Sequence, residues 1–146
     1  MNTNRVCWAL SLFILICAVW ASNARAETNV FVGAWSKHVV SGSKDLNEQH
    51  DLIAIEHNDW FAGRFINSHD RETFALAHKW AWRHGKLEAG VYGGAMVGYR
   101  SCYGDNGDSA KTCPMIAPYL TWHTGPVNPQ IFVMGEALAV SIRVGF

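Results

Sequence analysis

The sequence predicts an all-β fold, an eight-stranded antiparallel up-and-down barrel, and three observations carry this prediction. Short segments in which apolar and polar residues alternate recur after residue 27, with turn residues between them. Large apolar residues share one face of these segments, whereas glycine, small and polar residues share the other. No segment of this part has a clear helical period. An apolar outside around a mixed inside is typical of an outer-membrane β-barrel.

Residues 1–26 are predicted to be a signal peptide, which leaves 27–146 as the barrel domain. An apolar run follows Arg5, ends near Trp20 and is followed by Ala-Arg-Ala at 24–26, the small-x-small pattern of a cleavage site. Export to the cell outer membrane is therefore expected.

Two alternatives for this leader stay open. A lipoprotein would use Cys17, although no small residue directly precedes it, and a retained anchor would need a run nearer to about 20 residues.

Cleavage would remove two of the 12 basic residues and none of the 12 acidic ones, for a net charge of −2. This balance gives no electrostatic case for nucleic-acid binding.

The strands follow in order along the domain, separated by connections of two kinds. We place strands at about 28–39, 50–56, 60–66, 72–82, 86–100, 114–123, 129–134 and 137–146. The connections at 57–59, 83–85 and 124–128 are tight, whereas those at 40–49 and 101–113 are longer. Eight up-and-down strands put both termini at the end with the tight turns, as in outer-membrane barrels with short periplasmic turns and longer outer loops.

Bulky aromatic residues mark the ends of several strands. They are Trp60, Trp80, Trp82, Trp122 and Phe146, and all fall at the predicted periplasmic end. This placement is typical of an interfacial aromatic girdle. The alternative is a soluble barrel or sandwich with the tryptophans in its core.

The fifth strand alternates between an apolar face and a glycine-containing face. The apolar face consists of Leu87, Ala89, Val91, Ala95, Val97 and Tyr99. On the opposite face, Gly90, Gly94 and Gly98 would leave room in a lumen that side chains normally fill. That room could hold an acyl chain; alternatively, the glycines relieve crowding where the strand bends.

The sixth strand contains Pro114 and Pro118, neither of which can donate a ladder hydrogen bond. Because a closed barrel has no edge strand to tolerate proline, we expect interrupted pairing with a neighbour and a lateral opening in the wall.

Cysteine and histidine spacing favours a disulfide over a metal site. Cys102 and Cys113 flank a turn-rich segment, and in an exported protein they predict one disulfide. A calcium loop is the alternative, although its spacing misses the EF-hand pattern; its acidic and amide residues are Asp105, Asn106 and Asp108. Six histidines show no zinc-binding spacing and are interpreted as loop or interfacial residues; they are His50, His57, His69, His78, His84 and His123. We expect no metal or other cofactor.

The eighth strand, which ends the chain, has a strict period of two. Its large apolar residues share one face, which must meet an apolar surface; they are Leu138, Val140, Ile142, Val144 and Phe146.

The pattern P-x3-P-x6-G-P-V at 114–127, the glycine-containing lumen and the aromatic-terminated last strand resemble the PagP family of outer-membrane lipid A palmitoyltransferases. The resemblance implies a phospholipid donor, a lipid A acceptor, a lateral gate at the prolines and recognition of Phe146 by barrel-assembly machinery. It matches His38 to the family's catalytic histidine and Ser68 to its serine, and Asn67 replaces its aspartate. We expect a monomer.

Topology supports the same three residues. His38 ends one up strand, and Asn67 and Ser68 end the next up strand, so all three reach the outer rim. The expected roles are His38 as general base, Ser68 as nucleophile or oxyanion donor, and Asn67 as a polar positioning group. Two other functions stay open: a non-enzymatic barrel that modifies the cell surface, and a lipid A deacylase.

Overall fold

The eight predicted strands close into one barrel. The computed structural model describes residues 27–39, 46–100, 102 and 109–146; the predicted signal peptide and the calcium-loop candidate lie outside them. The strands are β1 (Thr28–His38), β2 (Ile53–His57), β3 (Trp60–Ile66), β4 (Glu72–His84), β5 (Leu87–Tyr99), β6 (Lys111–Trp122), β7 (Val127–Met134) and β8 (Ala137–Gly145). Each pairs antiparallel with the next, and β8 pairs with β1. The predicted fold class is confirmed.

The turns follow from residues that accept a positive φ. Asn58 and Asp59 have φ values of 49° and 64°, the geometry of a two-residue hairpin that matches strand twist. Gly85 and Gly135, at 60° and 59°, make the turns after β4 and β7. The β2–β3, β4–β5 and β6–β7 turns lie at the end of the barrel where β1 begins and β8 ends, which we call the terminal end. The other four connections join the strands at the opposite end, which we call the loop end.

The apolar face of β8 points outward, as predicted. On β8, Leu138 is 44% exposed, whereas Ser141 and Arg143 on the opposite face are completely buried. The predicted girdle residues at the terminal end are also exposed on the outer wall: Trp60, Trp80, Trp82, Trp122 and Phe146. Because these tryptophans face outward, the alternative in which they form a core is wrong.

One residue of the predicted outer face is misplaced. The β5–β6 register shifts between Val97 and Tyr99, at Gly98, whose φ is 144°. After this irregularity Tyr99 lines the lumen instead of the outer wall. The disulfide between Cys102 and Cys113 is confirmed, and it ties the β5–β6 connection to β6.

A buried network of charges fills the terminal half of the lumen. Arg143 donates from Nη2 to Glu56 Oε1 and from Nη1 to Glu88 Oε1, both at 2.9 Å. Lys79 Nζ lies 2.8 Å from Glu56 Oε1. The Tyr92 hydroxyl donates to Glu56 Oε2 at 2.6 Å. Two carboxylates are thus matched by two cations, which is the condition for keeping such groups inside a protein.

The network extends outward through further polar groups. Tyr119 donates to Glu88 at 2.8 Å, and His123 Nε2 lies 3.1 Å from the same carboxylate. Asn29 donates to Glu56 at 2.9 Å. The prediction that His123 is a loop or interfacial residue is therefore incomplete, because its ring also reaches this buried carboxylate.

Removing the central cation should strongly destabilise the barrel. Arg143→Met leaves Glu56 and Glu88 with one fewer cation between them, and breaking a buried pair in this way costs about 3–5 kcal/mol. We expect that loss in the free energy of unfolding, measured by urea titration in detergent micelles with tryptophan fluorescence. Lys37→Met is the control, since Lys37 pairs with Glu48 on the surface. Equal effects of the two substitutions would contradict the role of the network.

Candidate active site

The loop half of the lumen contains a largely apolar cavity of about 70 Å³. Its apolar lining includes Phe31, Phe61, Phe65, Phe132 and Met134. Its polar lining consists of Ser36, His50, Ser68, Gln130 and Ser141, together with the hydroxyl-bearing Tyr92 and Tyr99. Because a single water needs only about 10–15 Å³, this volume leaves room for a small apolar group or several waters.

His38 and Ser68 meet at the loop end of this cavity, as the sequence predicts. Their Nε2 and Oγ atoms lie 3.1 Å apart, within hydrogen-bonding distance, and both residues are half-buried. His38 is the last residue of β1, and Ser68 lies in the turn at 67–71 that follows β3. The backbone N–H of Asn47 donates to the Ser68 carbonyl at 2.9 Å, which ties this turn to the β1–β2 connection. A histidine nitrogen within hydrogen-bonding distance of a serine hydroxyl is the arrangement that general-base catalysis requires.

Asn67 is adjacent in sequence, but its side chain makes a different set of contacts. Its Oδ1 accepts the backbone N–H groups of His69 at 2.8 Å and Arg71 at 3.2 Å. Its Nδ2 donates to Thr73 Oγ1 at 3.0 Å and to the Gly98 carbonyl at 3.5 Å. The side chain is completely buried. Asn67 therefore shapes the turn that carries Ser68, and none of these contacts joins it to the His38–Ser68 pair.

None of the three predicted glycines of β5 lines this cavity, and each is approached closely by neighbouring groups. A Cβ at Gly94 would clash with the Leu76 carbonyl and with Ala77 of β4, and one at Gly98 would clash with β4 backbone at Glu72 and Thr73. A Cβ at Gly90 would lie 2.7 Å from the Tyr119 ring. The alternative is supported: these glycines let β4, β5 and an inward aromatic ring approach closely.

The proline-containing strand is interrupted on one side. The β5–β6 ladder runs through both prolines, which pair with Ala95 and Val91. By contrast, β6 and β7 share only three pairs, Tyr119–Phe132, Leu120–Ile131 and Thr121–Gln130. This short ladder stops directly beside Pro118 on β6 and Pro129 on β7. Interrupted pairing is thus confirmed, and we call the stretch between β6 and β7 the seam.

A second serine–histidine pair lies inside the cavity and was not predicted. Ser36 Oγ is 2.6 Å from His50 Nε2, and His50 Nδ1 is 2.7 Å from the Ile66 carbonyl oxygen. Both side chains are buried. Burial lowers the pKa of His50, which favours the neutral ring. His50 lies in the β1–β2 connection, as expected of a loop residue, but its ring is buried in the lumen, which the sequence did not predict. The inward position of Ser36, two residues before His38, was the available signal.

Surface charges at the loop end form ion pairs. Arg64 Nε donates to Glu72 at 2.5 Å, and Lys37 pairs with Glu48 at 2.8 Å. The hydrogen bond from Lys37 lowers the pKa of the Glu48 carboxyl. In the described part of the chain, no group of three or more His, Cys, Asp or Glu residues could hold a metal ion.

Comparison with known proteins gives no assignment: no family model matches this sequence, and neither does any curated protein. Within the described ranges, no helix is long and apolar enough to cross a membrane.

Replacing Asn67 by the aspartate of the resembled family should weaken the barrel. In Asn67→Asp, an oxygen that cannot donate would face the Gly98 carbonyl, and a buried polar group left unsatisfied costs about 1–3 kcal/mol. We expect a loss of that size in urea unfolding. The matched control is Asp70→Asn in the same turn, where the side chain is exposed and asparagine tolerates the φ of 56°. An unchanged Asn67→Asp protein would contradict this account of the turn.

Proposed function

We propose that this protein is an outer-membrane acyltransferase that moves a fatty acyl chain from a phospholipid to lipid A. The observation that carries the proposal is the His38–Ser68 pair, whose two side chains lie 3.1 Å apart beside an apolar cavity that Ser68 itself lines. A reactive hydroxyl, a base and an apolar compartment are the parts that acyl transfer to or from a lipid requires.

The outer wall supports a place in a membrane. Apolar side chains are exposed on every side of the barrel, including Phe74, Leu76 and Ile116 at 55%, 57% and 71%. Such a continuous apolar surface is a liability in water but is what a lipid-facing barrel needs. The exposed tryptophans of the terminal end fit the interfacial girdle, and the predicted signal peptide would provide export.

The chemistry at the rim can be written from the groups present. His38 Nε2 accepts the proton of the attacking hydroxyl as a bond forms between that oxygen and the ester carbonyl carbon. When the ester C–O bond breaks, the proton goes to the leaving alkoxide. Ser68 is either a donor to the carbonyl oxygen or the attacking hydroxyl. As the attacking hydroxyl it would hold the acyl chain as an ester until the acceptor hydroxyl attacks that ester, and the acceptor's proton would then pass through His38 to Ser68. The same steps with lipid A as the acyl donor and water as the acceptor would give a lipid A deacylase.

The seam supports a sideways route for the lipid substrate. Beyond Pro118 towards the loop end, β6 shares no ladder pair with β7, so the wall there is held by fewer hydrogen bonds than elsewhere. Ile116, on this stretch, is among the most exposed apolar residues of the barrel. A phospholipid chain in the surrounding leaflet would meet this part of the wall directly.

The proposal is tested by mass spectrometry of lipid A. The host bears an outer membrane, lacks its own palmitoyltransferase and expresses the intact protein, His38→Ala, Ser68→Ala or Ser109→Ala. Ser109→Ala is the control, because Ser109 is an exposed serine of the β5–β6 connection. We expect lipid A to gain one acyl chain with the intact protein and the control. Either site variant should lower the yield at least about 100-fold, since positioned acid–base groups contribute that much or more.

The other outcomes separate the alternatives. Loss of an acyl chain from lipid A would replace transfer by hydrolysis. An unchanged spectrum, with the protein folded in the outer membrane by heat-modifiable gel migration, would reject both chemistries and favour the non-enzymatic barrel.

A further inference from the structure

The hydrogen-bond pattern around His50 fixes the direction of its bond with Ser36. A backbone carbonyl can only accept, so the 2.7 Å contact with Ile66 requires the proton to be on Nδ1. Nε2 of the neutral ring then carries the lone pair and accepts from the Ser36 hydroxyl at 2.6 Å. This is the arrangement of an activated serine: hydroxyl, base, and a third group that orients the base.

The His38–Ser68 pair lacks that third group in the part of the chain that the structure describes. Nδ1 of His38 is buried and has no hydrogen-bond partner among the described residues. Nothing there holds its proton on the far nitrogen, as the Ile66 carbonyl does for His50. Of the two pairs, Ser36–His50 is therefore the one built to deprotonate its own serine.

A free hydroxyl lies close to Ser36 in the same cavity. Ser141 is completely buried and lines the cavity, and its Oγ has no hydrogen-bond partner among the described residues. Leaving such a group unpaired is costly, so it points to a ligand with a polar atom at this place. The β1–β8 register pairs Ser36 with Ala139 and Ala34 with Ser141, which makes Ser36 and Ser141 diagonal neighbours about 7–8 Å apart. A carbonyl group bound between them could reach both hydroxyls.

We propose that Ser36 is the nucleophile that receives the acyl chain, with His50 as its base and Ser141 as a donor to the carbonyl oxygen. The inference rests on the proposed function, in that the ligand is an ester-linked fatty acyl chain, and it deepens that function by making transfer a two-step reaction through an acyl-enzyme. The apolar lining at Phe31, Phe65 and Phe132 would contact the few carbons of the chain next to its carbonyl group.

Each step balances. In the first, Ser36 Oγ forms a bond to the ester carbonyl carbon, and its proton passes to His50 Nε2. The C–O bond to the donor then breaks, and the same proton leaves with the donor alkoxide. In the second, the acceptor hydroxyl attacks the carbonyl carbon of the Ser36 ester, and its proton passes to His50 Nε2. The bond between that carbon and Ser36 Oγ then breaks, and the same proton passes from His50 to Ser36. Ser141 donates a hydrogen bond to the carbonyl oxygen while it carries negative charge.

The two serine–histidine pairs would then serve different substrates. Ser36 and His38 both face the lumen on β1, with His38 nearer to the loop end. The pair at the rim is placed to receive the acceptor hydroxyl, whereas the inner pair is placed among the apolar side chains. His38 would hold the acceptor hydroxyl in place for the second step by a hydrogen bond, while His50 takes its proton.

The test is covalent labelling of the purified full-length protein in detergent micelles with an alkyl fluorophosphonate. Attack of Ser36 Oγ on phosphorus would expel fluoride and leave a stable adduct, located by peptide mass spectrometry. We expect a single adduct on Ser36 that is lost in Ser36→Ala and unchanged in Ser109→Ala. His50→Gln should slow labelling at least about 100-fold. Ser36→Cys, which keeps the size of the side chain, should move reactivity to a thiol-alkylating reagent and show that the position itself is accessible.

Several results would overturn the inference. An adduct on Ser68, or no adduct on Ser36 in a barrel shown to be folded by heat-modifiable migration, would remove the nucleophile assignment. Full lipid A acylation by Ser36→Ala would do so as well, while leaving the proposed function intact. Labelling of Ser36 together with an unchanged lipid A spectrum would support the nucleophile and reject lipid A as the acceptor.

Discussion

Arg143 joins two carboxylates that come from distant parts of the chain, and the interior is organised around this contact. Glu56 is 87 residues away in sequence and Glu88 is 55. Buried charges are tolerated only when they are paired, so β2, β5 and β8 must close into the one register that brings these groups together. The network occupies the terminal half of the lumen. The cavity consequently lies in the loop half, beside the residues with candidate chemistry.

The wall around this interior is not uniform. On one side, Gly94 lets β4 and β5 approach so closely that a methyl group would clash with backbone, and their ladder is long. On the other side, Pro118 and Pro129 bound a β6–β7 ladder of only three pairs. The seam therefore has the fewest ladder pairs of any two neighbouring strands in the barrel. Glycine therefore allows close strand contact on one side of the barrel, and prolines flank the interrupted pairing on the other.

The candidate chemistry is concentrated at the loop end of β1. Ser36 and His38 share the lumenal face of this strand because side chains alternate with a period of two. Each meets a partner from a connection rather than from a strand: His50 from the β1–β2 connection and Ser68 from the turn after β3. Rigid strands thus hold one half of each pair. The Asn67 contacts and the Asn47 hydrogen bond to Ser68 hold the turn that supplies the other.

The sequence by itself determined the features that are local or repeat with a period of two. These are the eight strands, the outward apolar face of β8, the terminal ring of tryptophans, the disulfide and, through strand order, the meeting of His38 with Ser68. Only the tertiary structure decided what fills the lumen. The partners of Arg143, the inward turn of His50 and the crowding at Gly94 depend on the register between strands, and on how close two backbones come. The alternation of residues predicts which face of a single strand a side chain lies on, but it does not predict the register or the distance between that strand and its neighbours.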